Sequence, residues 1–356
     1  MAMEWKKNVR EVTPYIPGEQ PQDGKLIKLN TNENPYPPAP GVRRLVSEVD
    51  TDKLRLYPDP DVKELVNALA AYHEVGRDMV FVGVGSDDVL AMSFMTFFNS
   101  DKPILFPAIT YSFYDVWAKL YKIKYETPAL NEDFTINPHD YIRPNGGVII
   151  ANPNAPTSVA MEPDAIESIV ASNRDSVVII DEAYVDFGGR SVLSLTDKYD
   201  NLLVVRTFSK SRSMAGMRIG YAVGNPELIK ALNSVKGSFN SYTMSMLSIS
   251  LGTESLKDEE YFRTVIGQII NTREKTGSAL ERLGFKVLPS LTNFLFAAHE
   301  SVPAVVIFEE LKKEKIYVRY FNKPVIDNYL RITIGTDEEM DIFLKCVKGI
   351  IERYNG

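Results

Sequence analysis

A lysine with a hydroxyl beside it is the part of this sequence whose chemistry is easiest to identify. Lys210 follows Ser209 at the end of the apolar run Leu-Leu-Val-Val, residues 202–205, and Arg218 comes eight positions later. A lysine amine forms a Schiff base with an aldehyde, while a hydroxyl and a guanidinium can hold a phosphate. Most lysines are simply exposed, but the neighbouring Arg212 adds positive charge that favours a nucleophilic amine. The segment therefore indicates a covalently held, phosphorylated aldehyde cofactor.

A carboxylate follows another apolar run. Asp181 comes directly after Val-Val-Ile-Ile, residues 177–180, and Tyr184 lies three positions further on. At the end of a buried strand, a carboxylate can bind a metal, cap a helix or pair with a protonated ring nitrogen. The last choice would keep a pyridinium charged and make the ring an electron sink, and Tyr184 could then donate to the ring's phenolic oxygen. The residues alone leave all three choices open.

A glycine turn precedes a predicted helix. In Gly83-Val-Gly85, followed by Ser86 and Asp87, the free amides of the helix N-terminus can bind a phosphate, although Ser86 could equally be a plain N-cap. Asp88 stands where a dinucleotide fingerprint requires its third glycine, and the sequence has no phosphate-binding loop of the triphosphatase type. A dinucleotide-binding or triphosphatase function is therefore disfavoured.

Short, wholly apolar runs alternate with helical patterns between residues 60 and 283. This predicts an α/β fold with a mostly parallel sheet between helices, and ligands then bind at the carboxyl ends of the strands. After Gly284, short strands and helices suggest a smaller α+β unit. We expect a large cofactor domain over 46–280 and a small domain built from 1–45 and 281–356. The predicted strands are 80–85, 104–106, 148–151, 177–180, 202–205, 219–223, 285–288, 294–297, 317–319 and 330–334, and the predicted helices include 62–72, 87–97 and 254–283.

Composition narrows the function classes. The net charge of -7 argues against a nucleic-acid partner, and the single cysteine, Cys346, permits no internal disulfide. The histidines His73, His139 and His299 have no ligand spacing, so no metal site is expected. No signal peptide or membrane-spanning run is seen. A cytoplasmic enzyme acting on small molecules is the expectation.

These residues together carry a resemblance to a known family. Asp-Glu-Ala-Tyr at 181–184, Ser209-Lys210 and Arg218 resemble the pyridoxal-phosphate aminotransferases of fold type I. Three less specific motifs resemble those of the histidinol-phosphate aminotransferases within that group. They lie at Asn-Thr-Asn-Glu-Asn-Pro-Tyr (30–36), Arg-Leu-Tyr-Pro-Asp (55–59) and Leu-Arg-Ile-Thr-Ile-Gly (330–335).

The resemblance implies a role for each matching residue. Lys210 would bind the cofactor covalently and then move a proton between substrate and cofactor carbons, Asp181 would bind the ring nitrogen, and Tyr184 would bind the ring oxygen. Tyr111 would stack on the ring. The cofactor phosphate would be held by Ser86, Asp87, Thr207, Ser209 and Arg218, with Tyr57 reaching it from a neighbouring subunit, which implies a homodimer.

The resemblance also implies a substrate. Arg319 and Arg331 would receive its phosphate or carboxylate, and Tyr15 and Asn32 would line the substrate side. The expected reaction is amino transfer between L-histidinol phosphate and 2-oxoglutarate. An aromatic amino acid aminotransferase or a threonine-phosphate decarboxylase shares the scaffold. A DNA-binding regulator on this fold is disfavoured, because the N-terminal segment is short and rich in proline.

One position departs from the family pattern. The family usually carries Asn-Asn-Pro-Thr-Gly, whose second asparagine bonds to the ring oxygen. Residues 154–158 of this sequence read Asn-Ala-Pro-Thr-Ser. Ala155 cannot make that bond, so Asn154 is expected to supply it from the adjacent position. Ser158 in place of glycine suggests a changed turn.

Overall fold

A computed structural model describes residues 4–21 and 26–356. The predicted small domain also includes residues 1–3 and 22–25, which lie outside that part of the chain. The strands are β1 Ile27–Leu29, β2 Val80–Gly83, β3 Ile104–Leu105, β4 Tyr125–Glu126, β5 Val148–Ala151, β6 Val178–Asp181, β7 Leu202–Thr207, β8 Gly220–Gly224, β9 Phe285–Val287, β10 Phe294–His299, β11 Ile316–Tyr320 and β12 Leu330–Thr333.

Seven strands form the larger sheet, in the order β2-β8-β7-β6-β5-β3-β4. Strands β3 to β7 pair in parallel, and β8 pairs antiparallel with both β2 and β7. The central strands are buried on both faces, which explains why their sequences are apolar throughout. The predicted α/β fold with a mostly parallel sheet is confirmed.

The register of the central strands sets the position of the site. Ala151 at the end of β5 pairs with Asp181 at the end of β6, and Asp181 pairs with Val205 in β7. The loops that follow these three strands therefore leave the sheet side by side at one edge. The strand β8 returns antiparallel, and residues 208–219, which connect it to β7, contain a 3₁₀ turn, Ala215–Met217, and no α-helix.

Ten helices cover the two sheets in the described part of the chain. The region predicted as one helix over 254–283 contains the end of one helix, at Ser255, and a second helix that begins at Glu259. The Asp258 carboxylate caps the second helix by accepting from the Tyr261 amide at 3.0 Å. The helices are α1 Pro40–Ser47, α2 Lys63–His73, α3 Ser86–Phe97, α4 Phe113–Tyr121, α5 Pro163–Ser172, α6 Pro226–Phe239, α7 Met246–Ser255, α8 Glu259–Arg282, α9 Ala304–Lys313 and α10 Asp337–Asn355.

The smaller sheet has the order β1-β11-β12-β10-β9. The first strand, β1, pairs in parallel with β11, so the segment that follows the N-terminus completes a sheet made otherwise of C-terminal strands. One apolar core joins this sheet to α8, α9 and α10. The two sheets accord with two domains, but the boundaries at residues 46 and 280 remain a prediction.

No helix in the described residues combines the length and the apolar character that crossing a membrane would require.

Candidate active site

A cavity of about 170 Å³ opens where β5, β6 and β7 end. Its walls come from these loops, from the start of α3 and from the segment after β1. The lining residues are Thr31, Glu33, Ser86, Asp87, Tyr111, Ala151, Ala155, Asp181, Ala183, Tyr184, Ser209, Lys210, Ala215 and Arg218.

Asp181 is a buried carboxylate on the wall of this cavity. It accepts hydrogen bonds from the Tyr114 hydroxyl at 2.9 Å and from the Ala183 amide at 3.2 Å. Burial raises the pKa of Asp181 to about 6, although both hydrogen bonds oppose the rise. Among the described residues it has no cationic partner, so its negative charge is only partly compensated by the chain.

Lys210 faces the same cavity from the loop after β7. Its Nζ donates to the Thr31 carbonyl oxygen at 3.2 Å and lies 5.8 Å from the centre of the Tyr184 ring. The Asn34 side chain donates to the Lys210 carbonyl oxygen at 3.1 Å and so fixes the backbone that carries the amine. The structure thus brings the three predicted catalytic residues, Lys210, Asp181 and Tyr184, to one cavity.

The start of α3 forms an anion-binding end of the cavity. Gly85 has a φ of 83° and turns the chain into the twelve-residue helix α3, whose first amides have no partners within the helix. The strand β8 passes so close that a Cβ atom on Gly220 would lie 2.2 Å from the Ser86 nitrogen. Glycine at position 220 is therefore required for the turn and β8 to pack in this way.

Hydroxyl and guanidinium groups surround that helix end. The Ser209 hydroxyl accepts from the Thr207 hydroxyl at 3.0 Å and lies 3.5 Å from Nη1 of Arg218. The guanidinium also lies 3.4 Å from Asp87, whose other oxygen accepts from the Tyr111 hydroxyl at 2.7 Å. These predicted phosphate-binding residues are brought together, and the hydrogen bond to Asp87 fixes the Tyr111 ring on the cavity wall.

The structure does not bring Asn154 to the cavity. Its amide donates to the Ile109 carbonyl and to the Thr157 hydroxyl, both at 2.9 Å, and accepts from the Thr110 hydroxyl at 2.8 Å. Asn154 is only 1% exposed, and Ala155 lines the cavity instead. The expectation that Asn154 reaches the ring oxygen finds no support in this geometry.

The turn that ends this loop keeps a glycine-like backbone. Ser158 has a φ of 68°, and its amide donates to the Asn154 carbonyl at 2.8 Å. The Ser158 hydroxyl lies 3.0 Å from the Pro289 carbonyl oxygen, which helps offset the cost of a left-handed serine. Ser158 therefore holds a left-handed backbone conformation of the kind that glycine adopts most easily.

Two of the predicted substrate residues, Tyr15 and Arg319, line a second cavity of about 900 Å³. It adjoins the first, since Thr110 lines one and Tyr111 the other. Tyr15 lines the larger cavity and stacks on Phe113 with ring centres 4.3 Å apart. The substrate residue Asn32 does not line either cavity but donates to the Tyr184 hydroxyl at 2.8 Å.

Arg319 and Arg331 are partners across β11 and β12. Arg319 donates to the carbonyls of Ile16 and Pro17, and Arg331 donates to the carbonyl of Asn30 at 2.8 Å. The Nε atom of Arg331 is buried and has no hydrogen-bond partner among the described residues, and burial lowers the pKa of this arginine. Two cations side by side without a carboxylate partner in the described chain form a site for an anion.

Tyr57 lies apart from both cavities. It is 82% exposed and stacks on Tyr242 with ring centres 4.7 Å apart. Within one chain it contributes nothing to the phosphate end of the site.

Sequence analysis missed two contributors to the site. Tyr114, whose hydroxyl donates to Asp181, lies in the first turn of α4, three residues after Tyr111, and no signal in the sequence marked it for this contact. Behind Asp181, the neighbouring Glu182 is fully buried and paired with Arg206 at 3.0 Å. This ion pair fixes the ends of β6 and β7 beside each other.

Comparison with known proteins agrees with this geometry. The profile of the family described as "Aminotransferase class I and II" matches residues 24–347. The chain belongs to this family. It is 49% identical over 353 residues to a histidinol-phosphate aminotransferase of Clostridium botulinum (strain Okra), covering 99% of this chain and 100% of that one. It is 50% identical over 344 residues to the Brachyspira hyodysenteriae protein of that name, covering 96% and 97%.

A solved aminotransferase shares the fold. The histidinol-phosphate aminotransferase of Sinorhizobium meliloti, solved in complex with pyridoxal-5'-phosphate, superposes with a TM-score of 0.86 at 22% identity and covers 93% of this chain and 92% of its own. In the present aminotransferase, the site fits the same cofactor. The buried Asp181 lacks a cation, Lys210 supplies an amine, and the start of α3 with Arg218 supplies an anion site.

The burial of Asp181 is expected to lower the free energy of unfolding of this aminotransferase in its cofactor-free form. A native pKa of about 6, above the ordinary 3.8, means that the folded chain binds a proton more tightly than the unfolded chain. The free energy of unfolding therefore falls as pH rises through that window. We expect cofactor-free Asp181→Asn to be about 1–3 kcal/mol more stable than the unchanged chain at pH 8, with the difference shrinking towards pH 4.

Urea unfolding at the two pH values measures this difference. Asp175→Asn, at an exposed carboxylate, is the matched control and should change stability little at either pH. An Asp181→Asn variant that is less stable than the unchanged chain at pH 8 would contradict the interpretation.

Proposed function

We propose that the chain is a pyridoxal-phosphate-dependent histidinol-phosphate aminotransferase, which transfers an amino group reversibly between L-histidinol phosphate and 2-oxoglutarate in histidine biosynthesis. The observation that carries this proposal is 49–50% identity over nearly the whole length to proteins of that name. The site supports it independently, because it combines a cofactor cavity with a second cavity lined by Arg319, the cross-strand partner of Arg331.

Pyridoxal 5'-phosphate, when bound, supplies a positively charged ring that draws electrons away from the substrate carbon. The role of Asp181 is to keep the ring nitrogen charged, because its buried carboxylate is stabilised by a cation at that position. Lys210 would hold the cofactor through its Nζ, and the free amine would be the base that takes the proton from the substrate carbon. Ser209, Arg218 and the α3 amides bind the phosphate.

Arg319 and Arg331 determine the class of substrate in this proposal. Both co-substrates carry an anion remote from the reacting nitrogen or ketone, a phosphate in one and a carboxylate in the other. A guanidinium fork binds either group through paired hydrogen bonds. One pair of arginines can therefore serve both halves of the reaction.

We expect Arg331→Ala to lower kcat/KM for histidinol phosphate roughly 10- to 100-fold, because a charged hydrogen bond to the substrate is lost. The effect should be much smaller with unphosphorylated histidinol, which lacks the anion. Arg190→Ala is the matched control, since that arginine is exposed and pairs with Glu162.

The same assay compares amino donors for the unchanged enzyme. Faster transamination of phenylalanine than of histidinol phosphate would instead identify an aromatic aminotransferase. Release of carbon dioxide from threonine phosphate would identify a decarboxylase.

A homodimer with shared active sites completes the proposal. Tyr57 stacks on Tyr242, and further exposed apolar side chains lie within three residues of each of these tyrosines in the sequence. A second copy could cover them, since exposed apolar patches mark interfaces. In this arrangement the Tyr57 hydroxyl binds the cofactor phosphate of the other subunit. The exposed residues are Leu54, Leu56, Tyr57, Phe239 and Tyr242. A cytoplasmic location belongs to the same proposal and is supported by the single cysteine.

Shared sites predict complementation between two weakened variants. Lys210→Ala lacks the amine and Tyr57→Ala lacks the phenol, but a mixed dimer contains one site with both groups intact. After the two variants are unfolded and refolded together at limiting cofactor, about a quarter of the sites should regain activity, since half of the dimers are mixed. Activity equal only to the sum of the separate variants would contradict shared sites.

A further inference from the structure

Ala155 lines the cofactor cavity with a methyl group, where the resemblance to the fold type I aminotransferases implies an amide. The neighbouring Asn154 does not replace it, because all three of its hydrogen bonds are made within its own loop and to the loop after β3. Tyr111, on the cavity wall, already donates its hydroxyl to Asp87. A donor to the ring oxygen must therefore come from the side of the cavity where Tyr184 lies.

The Tyr184 hydroxyl is held by Asn32. The Asn32 amide nitrogen lies 2.8 Å from the Tyr184 oxygen. The ring itself packs edge-on against Phe294, with centres 5.2 Å apart. An amide N–H can only donate, so the Tyr184 oxygen accepts this bond and its own proton stays available for another acceptor.

Thr333 fixes the direction of this bond. Its hydroxyl accepts from the Asn32 backbone N–H at 3.0 Å, so its proton is free to donate to the Asn32 side-chain oxygen, also at 3.0 Å. The Asn32 amide is thereby oriented with its nitrogen towards Tyr184. Asn293 adds a bond to the Asn32 carbonyl at 2.9 Å, and Asn32 itself has a φ of 56°, a conformation that asparagine tolerates.

We infer that Asn32 is a positioning residue, which, oriented by Thr333, aims the Tyr184 proton at the cofactor's ring oxygen in place of the amide missing at Ala155. The inference rests on the proposed function, since it requires the cofactor to be bound there. It assigns Asn32 a role through Tyr184 rather than direct contact with the substrate. It also links β12 of the smaller sheet to the cofactor ring.

The pH at which the bound cofactor changes absorbance tests this role without measuring turnover. A hydrogen bond to the ring oxygen disperses its negative charge, so that oxygen holds the nearby proton of the lysine nitrogen less tightly. Losing the bond therefore raises the transition pH. We expect a rise of about one unit in Tyr184→Phe and about half a unit in Asn32→Ala, and a fall in Ala155→Asn, which restores an amide.

A double-mutant cycle separates positioning from a general structural effect. If Asn32 acts through Tyr184, adding Asn32→Ala to Tyr184→Phe produces no further rise, and Thr333→Val shifts the transition in the same direction as Asn32→Ala. Asn30→Ala is the matched control, because this buried asparagine of the same segment donates to Glu19 and does not touch Tyr184. It should leave the transition unchanged.

Additive shifts in the double variant, or an unchanged transition in Asn32→Ala, would overturn the inference. If Asn32→Ala does not fold, Thr333→Val and Ala155→Asn still decide it: the inference fails if Thr333→Val leaves the transition unchanged or Ala155→Asn does not lower it. Failure of the proposed function gives a different result. If the cavity does not bind the cofactor, the unchanged protein shows no absorbance band of lysine-bound cofactor; if only the substrate differs, the band and its transition stay and histidinol phosphate is not transaminated.

Discussion

The Asp181 carboxylate is buried at the carboxyl end of β6, where the described residues offer it a phenol and an amide but no cation. Its pKa of about 6 reflects that imbalance. A ligand with a positive charge beside Asp181 compensates its negative charge and so stabilises the folded chain. The same cavity supplies an amine and an anion-binding helix end. The central strands are arranged around this constraint, because their register sets the loops of β5, β6 and β7 side by side.

The smaller sheet carries the arginines that we propose receive the substrate's anion. Its strands β11 and β12 carry Arg319 and Arg331 as cross-strand partners, a costly pairing unless an anion binds there. Thr333, at the end of the same strand β12, orients the Asn32 side chain that contacts Tyr184. One strand therefore connects the substrate's anion site to the cofactor cavity.

Residues at the ends of predicted strands could be placed from the sequence, because apolar runs locate the strands and parallel pairing aligns their ends. Lys210 and Asp181 are found in this way. Three features could not be predicted from the sequence, since each depends on packing between distant segments or on a local helix cap. They are the contact of Tyr114 with Asp181, the buried side chain of Asn154 and the end of a helix at Ser255. Tyr57 depends on a second copy, so its role stays a prediction.

We propose that Lys210 alone forms the covalent bond to the cofactor opposite Asp181. Reduction of the holoenzyme with borohydride, followed by peptide mapping, tests it directly, because reduction makes the bond to the lysine permanent. We expect about one pyridoxyl group per chain, located on Lys210. In Lys210→Ala, the peptide that contains position 210 should carry no pyridoxyl group. Stoichiometric label on a different lysine, or label spread over many surface lysines, would contradict it.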